Sequence, residues 1–233
     1  MPKTIKYAEY DRAKRQVGNK LDTQLRAEIA NAAARLVAEG EVEGFSSAKS
    51  KAAESLGLVS SGSMPDNVEV QTALIDYLRF YEGRIFDERL TTMRQAALRA
   101  MRFFDEFEPR LVGPVLYGSA VKHCAVTLHL YTDELESITR YLVEEQIPYE
   151  LTETTLKVSK RETLEFPTFW VLNDGLDFEL IIFPWSYNIH PPLSALDGRR
   201  YKRADVNAVE ELLRDSLDSN DDELTATAVR DFR

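Results

Sequence analysis

Between Leu21 and Val37 the apolar positions Leu21, Leu25, Ile29, Ala32, Ala33, Leu36 and Val37 recur three and four residues apart, the spacing of one face of an amphipathic helix ending near Gly40. A second, shorter helix is expected from a cap at Ser46 or Ser47 through Ala52 and Leu56 to a stop at Gly57. The Ser60 to Pro65 stretch reads as a loop. Beyond it, Asp66 or Asn67 caps a helix reaching about Tyr81, with Val70, Leu74, Ile75 and Leu78 on its apolar side. Leu90, Met93, Ala97, Met101 and Phe104 mark a further helix that ends before Pro109, because proline disfavours the helical conformation in the residue ahead of it. Phe103, Phe104 and Phe107 are read as packing residues.

From Leu111 onward the period changes. Val112 to Tyr117 reads as a strand, followed by a tight Gly118-Ser119 turn and a second strand, Ala125 to Tyr131. In that second strand Val126, Leu128 and Leu130 alternate with Ala125, Thr127, His129 and Tyr131, so the two sets face opposite sides of a sheet. Asp133 with Glu136 forms an expected capping box for a helix carrying Leu135, Ile138, Leu142 and Val143, which Pro148 ends. Strands follow at Tyr149 to Leu151, Thr155 to Val158 and Thr168 to Leu172, and Asn173-Asp174-Gly175 predicts a hairpin into the strand Asp177 to Phe183. A proline-containing loop from Pro184 to Arg203 leads to a last helix capped by Asp205. The pattern predicts an α+β protein: a basic arm over 1–20, a helical region over 21–108, a mixed β-sheet flanked by helices over 109–214, and an acidic tail over 215–233.

Composition narrows the class. With 233 residues, 44% of them hydrophobic, the chain has material for a substantial core, and no window approaches the roughly 18 uninterrupted apolar residues of a membrane helix. The N-terminal segment is charged and lacks the apolar stretch of a secretory signal. A single cysteine, Cys124, excludes an intramolecular disulfide and a multi-cysteine zinc site, and a reducing cytoplasm is the expected location. The net charge of -10 disfavours whole-surface attraction to nucleic acid or anionic lipid. The FSSAKSKAAESLGL segment has the form of a helix following a glycine-containing turn, as in helix-turn-helix modules, with Lys49 and Lys51 as the phosphate contacts such a role needs. A nucleic-acid or protein adaptor acting through these helices is therefore one reading.

The VGPVLYGSAVKHCAVTLHLYTD stretch, Val112 to Asp133, carries another. A hydrophobic strand ending in Gly118-Ser119 and leading to a second strand resembles the opening of a nucleotidyltransferase of the DNA polymerase β-like superfamily. The resemblance covers roughly Met101 to Leu213. It implies a Gly-Ser turn that receives a triphosphate, an Asp-x-Asp pair on the next strand, and a third acid on an adjacent strand, the carboxylates holding magnesium ions against the reacting phosphates. Gly118 and Ser119 match the turn as phosphate-binding residues, and Asp177 and Glu179 match the third-acid strand as catalytic residues. The Asp-x-Asp positions are Ala125 and Thr127, which cannot replace two anions at magnesium, and no metal ligand is assigned. What the resemblance implies is thus a nucleotidyltransferase-like protein without standard two-metal transfer that retains nucleotide or phosphate binding. The alternative is an active enzyme using magnesium, a nucleoside triphosphate, Asp177, Glu179 and a recruited acid such as Asp133 or Asp174, or an acid from a protein partner.

Other motifs are weaker. His123 and His129 lie six apart without a third ligand, and Cys124 beside His123 points to the opposite strand face, so neither pair makes a metal or nucleophile site. His190 reads as a loop histidine, and Arg199, Arg200, Lys202 and Arg203 form a basic run available to phosphate, with a solvated loop as the alternative.

Overall fold

The computed structural model describes residues 3–59 and 62–216, with side chains from residue 21 onward. The expected acidic tail therefore lies outside the described residues, apart from its first two positions. The chain divides into two compact units, Met1–Tyr81 and Glu82–Arg233.

The first unit is helical. Helix α1 (Lys3–Ala38) continues back through the expected basic arm, α2 spans Phe45–Ser55, and α3 (Asn67–Glu82) closes the unit. Ile29, Ala33 and Leu36 pack with Ala48, Ala52, Ala53 and Val70, and the small α2 residues allow close approach of the helices. Asp66 accepts the Glu69 N–H at 2.8 Å while Glu69 accepts the Asp66 N–H at 2.7 Å, a complete capping box. Glu69 also takes Arg26 in two bonds, at 3.2 and 2.6 Å. The expected serine cap on α2 is replaced by Gly44, with no side-chain bond. Its expected stop holds: Gly57 adopts φ 69° and Leu58 N–H reaches back to Ala53 O.

The second unit is α+β. Helix α4 (Arg84–Phe103) and a short 3₁₀ turn lead to β1 (Arg110–Val112), α5 (Gly113–Tyr117), β2 (Val126–Tyr131) and α6 (Leu135–Glu144). Then come β3 (Glu150–Lys157), β4 (Thr163–Asn173), β5 (Leu176–Phe183), α7 (Ser186–Ile189) and a helix over 206–216. The five strands form one mixed sheet in the order β1-β2-β5-β4-β3, in which β2 and β5 are the parallel pair.

Further expectations are corrected, and the separate strands expected at Tyr149 to Leu151 and Thr155 to Val158 form one continuous strand, β3. Val112 to Tyr117 is not a strand: pairing with β2 ends at Val112, and Pro114 near the start and Gly118 past the end bracket one helical turn. Asp133 does not cap α6, because its carboxylate accepts the Trp185 N–H at 3.1 Å. Strand β4 also begins ahead of Pro167, which sits where β4 pairs with β3 only, so its missing N–H costs no bond to β5. The Asp174-Gly175 hairpin forms as expected, with φ 51° and 75° at its two central residues. Phe104 and Phe107 are buried and pack with Phe103 around Tyr141 of α6, whose hydroxyl donates to Phe103 O at 2.8 Å.

Candidate functional site

Strand alternation distributes the chemistry. One sheet face is wholly apolar along its centre: Val126, Leu128 and Leu130 of β2 lie beside Phe178, Leu180 and Ile182 of β5, all buried. The opposite face carries Thr127, His129 and Tyr131 of β2 beside Glu179, Ile181 and Phe183 of β5. Its lower end is closed by an aromatic cluster of Tyr131, Phe166, Phe183 and Tyr187. Tyr201 packs edge-on to the His129 ring with centroids 5.1 Å apart, so the segment after α7 covers this part of the face. That segment is pinned by Leu193 N–H to Lys157 O at 2.7 Å and by the Leu111 and Ala204 pairing, at 2.9 and 3.0 Å.

Glu179 stands in the middle of this face. Thr127, directly beside it in the parallel register, donates its hydroxyl to Glu179 Oε2 at 2.9 Å, and Thr154 Oγ1 lies 3.5 Å from Oε1. Thr154 is in turn 2.8 Å from Thr168, which is fully buried. On its other side, Glu179 is opposite Trp170, which is partly exposed. Burial pushes the Glu179 carboxyl above its usual range, against the two threonine hydrogen bonds, which favour the charged form. Tyr201 is pushed up to about 12, by burial first and then by the nearby Glu179 and Tyr117. Tyr117 is raised by burial as well, and its hydroxyl neighbours Ser194 and the Lys202 backbone.

The remaining predicted residues separate. Asp177 is on the same face as Glu179, two positions away, but is exposed beside the hairpin turn, opposite Leu172. Ala125 precedes β2 rather than belonging to it. Gly118, at φ 76°, and Ser119 terminate α5 in a left-handed glycine cap: both of their N–H groups reach Pro114 O, the Ser119 bond being 2.9 Å. Ser119 is 3% exposed, and a Cβ on Gly118 would meet the guanidinium of Arg94 at 3.6 Å. The two halves of the expected constellation therefore have different surroundings, a buried helix terminator and a half-buried carboxylate on the sheet face.

Three contributors were not read from the sequence. Arg94 is buried on the apolar side of α4 and donates from Nε to Val115 O at 3.2 Å, bracing the Gly118 turn; a cation interrupting the Leu90, Met93, Ala97 stripe was the available signal. Trp170 and Tyr201 had no sequence signal, because their proximity to Glu179 depends on register and on the path of the loop. Arg203 is a structural residue, donating to Tyr131 Oη at 2.6 Å and Asn188 O at 2.9 Å, and Arg200 donates to Pro191 O at 2.5 Å while remaining exposed, as are Arg199 and Lys202. His129 is completely buried, with neither ring nitrogen hydrogen-bonded, and burial followed by the Arg203 charge lowers its pKa to about 3. His123 and His190 are exposed. Burial pushes the Cys124 thiol up to about 11, unlike an activated nucleophile. In the first unit, Lys49 donates to Pro65 O at 3.0 Å and Lys51 pairs with Glu41 at 2.8 Å, so both expected phosphate contacts have internal partners.

Among the described residues no group of three or more His, Cys, Asp and Glu side chains converges in a way that would hold a metal ion, and no helix is long and apolar enough to cross a membrane. Compared with known proteins, the chain matches no family model, no curated protein and no solved structure.

Proposed function

We propose that this chain is a nucleotidyltransferase-like protein without standard two-metal nucleotidyl transfer, which retains binding of a nucleotide or phosphate-bearing ligand. One observation carries the reading: Thr127, at the second of the two positions where the resembled proteins hold acids, donates its hydroxyl to Glu179 at 2.9 Å across the parallel β2 and β5 pair. In a two-metal site neighbouring carboxylates share cations, and those cations neutralise charge building on the transferred phosphoryl group and on the departing pyrophosphate. A threonine hydroxyl satisfies one carboxylate oxygen but brings no positive charge. Loss of that stabilisation is worth several kcal/mol in the transition state, where each 1.4 kcal/mol is about tenfold in rate. Binding without turnover asks less of these residues.

A second reading, an active enzyme using Asp177 and Glu179 with a recruited acid and magnesium, is favoured by the position of both acids on one face of β5. Calorimetric titration with ATP, GTP, CTP and UTP in the presence of magnesium, alongside transfer of α-labelled nucleotide to an acceptor, separates the two. The expected outcome is binding with no label transferred. Transfer that disappears in Glu179→Ala establishes the second reading, and the absence of both binding and transfer rejects both.

A further inference from the structure

The half-buried Glu179 carboxylate has hydrogen-bonding capacity that the protein fills only in part. A carboxylate offers about four lone-pair positions, yet Glu179 receives one close hydroxyl, from Thr127 at 2.9 Å, and a long one from Thr154 at 3.5 Å. Among the described residues it has no ion-pair partner, and the groups around it, Thr127, Thr154, Thr168, Tyr201 and Trp170, are all neutral. A partly buried carboxylate without a cation is costly, and native structures normally supply such a group with donors. Trp170 of β4 is the cross-strand neighbour of Glu179 on this face and is partly exposed.

We infer that this part of the sheet face binds a planar group presenting two adjacent N–H donors, such as the edge of a guanine base or a guanidinium, paired to the Glu179 carboxylate and lying against Trp170. Two parallel N–H groups match the spacing of two carboxylate oxygens, which gives both strength and orientation. A planar cation or base gains further from contact with an indole face. The inference goes beyond the nucleotidyltransferase reading, because it uses only the hydrogen-bonding capacity of the Glu179 carboxylate and the neighbouring indole. It holds for a ligand without phosphate, so failure of nucleotide transfer leaves it standing.

The test is calorimetric titration of the full chain with guanosine and with agmatine. Inosine, which lacks the second N–H donor, and putrescine, a diamine that lacks the planar guanidinium, serve as controls. Guanosine or agmatine is expected to bind at least about tenfold more tightly than its control, the effect of one hydrogen bond to a charged acceptor. Guanosine alone identifies a base edge, agmatine alone a guanidinium, and both together the shared chemistry. Glu179→Gln, nearly isosteric, places an N–H where an acceptor is required and is expected to abolish the preference, while Thr127→Val weakens it a few-fold. Circular dichroism and thermal midpoints verify that the variants fold, and an unfolded Glu179→Gln is replaced by Trp170→Ala, expected to weaken binding at least fivefold. No binding of either ligand at millimolar concentration, or equal preference in wild type and a folded Glu179→Gln, overturns the inference.

Discussion

His129 and Glu179 lie on one sheet face and respond to pH in opposite directions. Burial holds the His129 imidazole neutral down to about 3, whereas the open-chain group titrates near 6.5, so during acidification the unfolded chain takes up this proton first. The His129 contribution to stability is therefore intact above about 6.5 and is lost progressively as the pH falls towards 3. Glu179 behaves conversely. Its carboxyl is raised above the ordinary 4.5, so the cost of burying the ionised form is present at neutral pH and fades as the pH falls through the raised value towards 4.5. His129→Phe removes two unpartnered nitrogens, and is expected to raise the urea-unfolding free energy at pH 7 by about 1 to 3 kcal/mol. It should also flatten the decline between pH 7 and pH 5; an unchanged pH slope would refute this account of the buried ring. At this scale the sequence was informative about which side of the strand His129 faces. It said nothing of its full burial, since that depends on Phe183 and on Tyr201, a residue far along the chain.

At the scale of elements, the Gly118-Ser119 pair illustrates how one dipeptide serves two kinds of backbone. A strand followed by a glycine turn and a helix followed by a glycine terminator share the same letters, and the neighbours decide between them. Gly113-Pro114 opens a helical turn, and Gly118 at φ 76° closes it. Alanine at position 118 would have to adopt a left-handed conformation at a cost of about 1 to 2 kcal/mol, while its added methyl meets Arg94 and Leu90 only at ordinary contact distances. Gly118→Ala is thus expected to lower the thermal midpoint through backbone strain, and Leu90→Ala in the same background should not rescue it. Recovery of the midpoint in the double variant would locate the cost in steric contact instead. The β4 and β5 hairpin was legible because its signal is local: two residues with positive φ suit Asp174 and Gly175. The Asp133 capping box was misleading because a local bond to its own helix competed with a bond to Trp185, brought near by β5.

For the whole molecule, each compact unit has a buried core within its own residues, the Ile29 and Ala52 cluster in the first and the Tyr131 and Phe183 cluster in the second. Both tryptophans, Trp170 and Trp185, belong to the second unit, whereas helices dominate the first. Tryptophan fluorescence therefore reports the second unit, and far-ultraviolet circular dichroism reports both. Urea unfolding is expected to show transitions that do not coincide between the two probes; a single shared midpoint and slope would show that the units unfold as one. The residue pattern alone was enough to specify the change from helices to an α+β region, the alternation along β2 and β5, and the hairpin joining β4 to β5, because each depends on neighbours within a few positions along the chain. The parallel β2 and β5 register, which brings Thr127 to Glu179 across more than fifty residues, the opposing Trp170, and the burial of His129 beneath Tyr201 were set by packing between distant segments. Local periodicity chooses a side chain's face, but its partners and its loss of water depend on which strands and loops settle against that face.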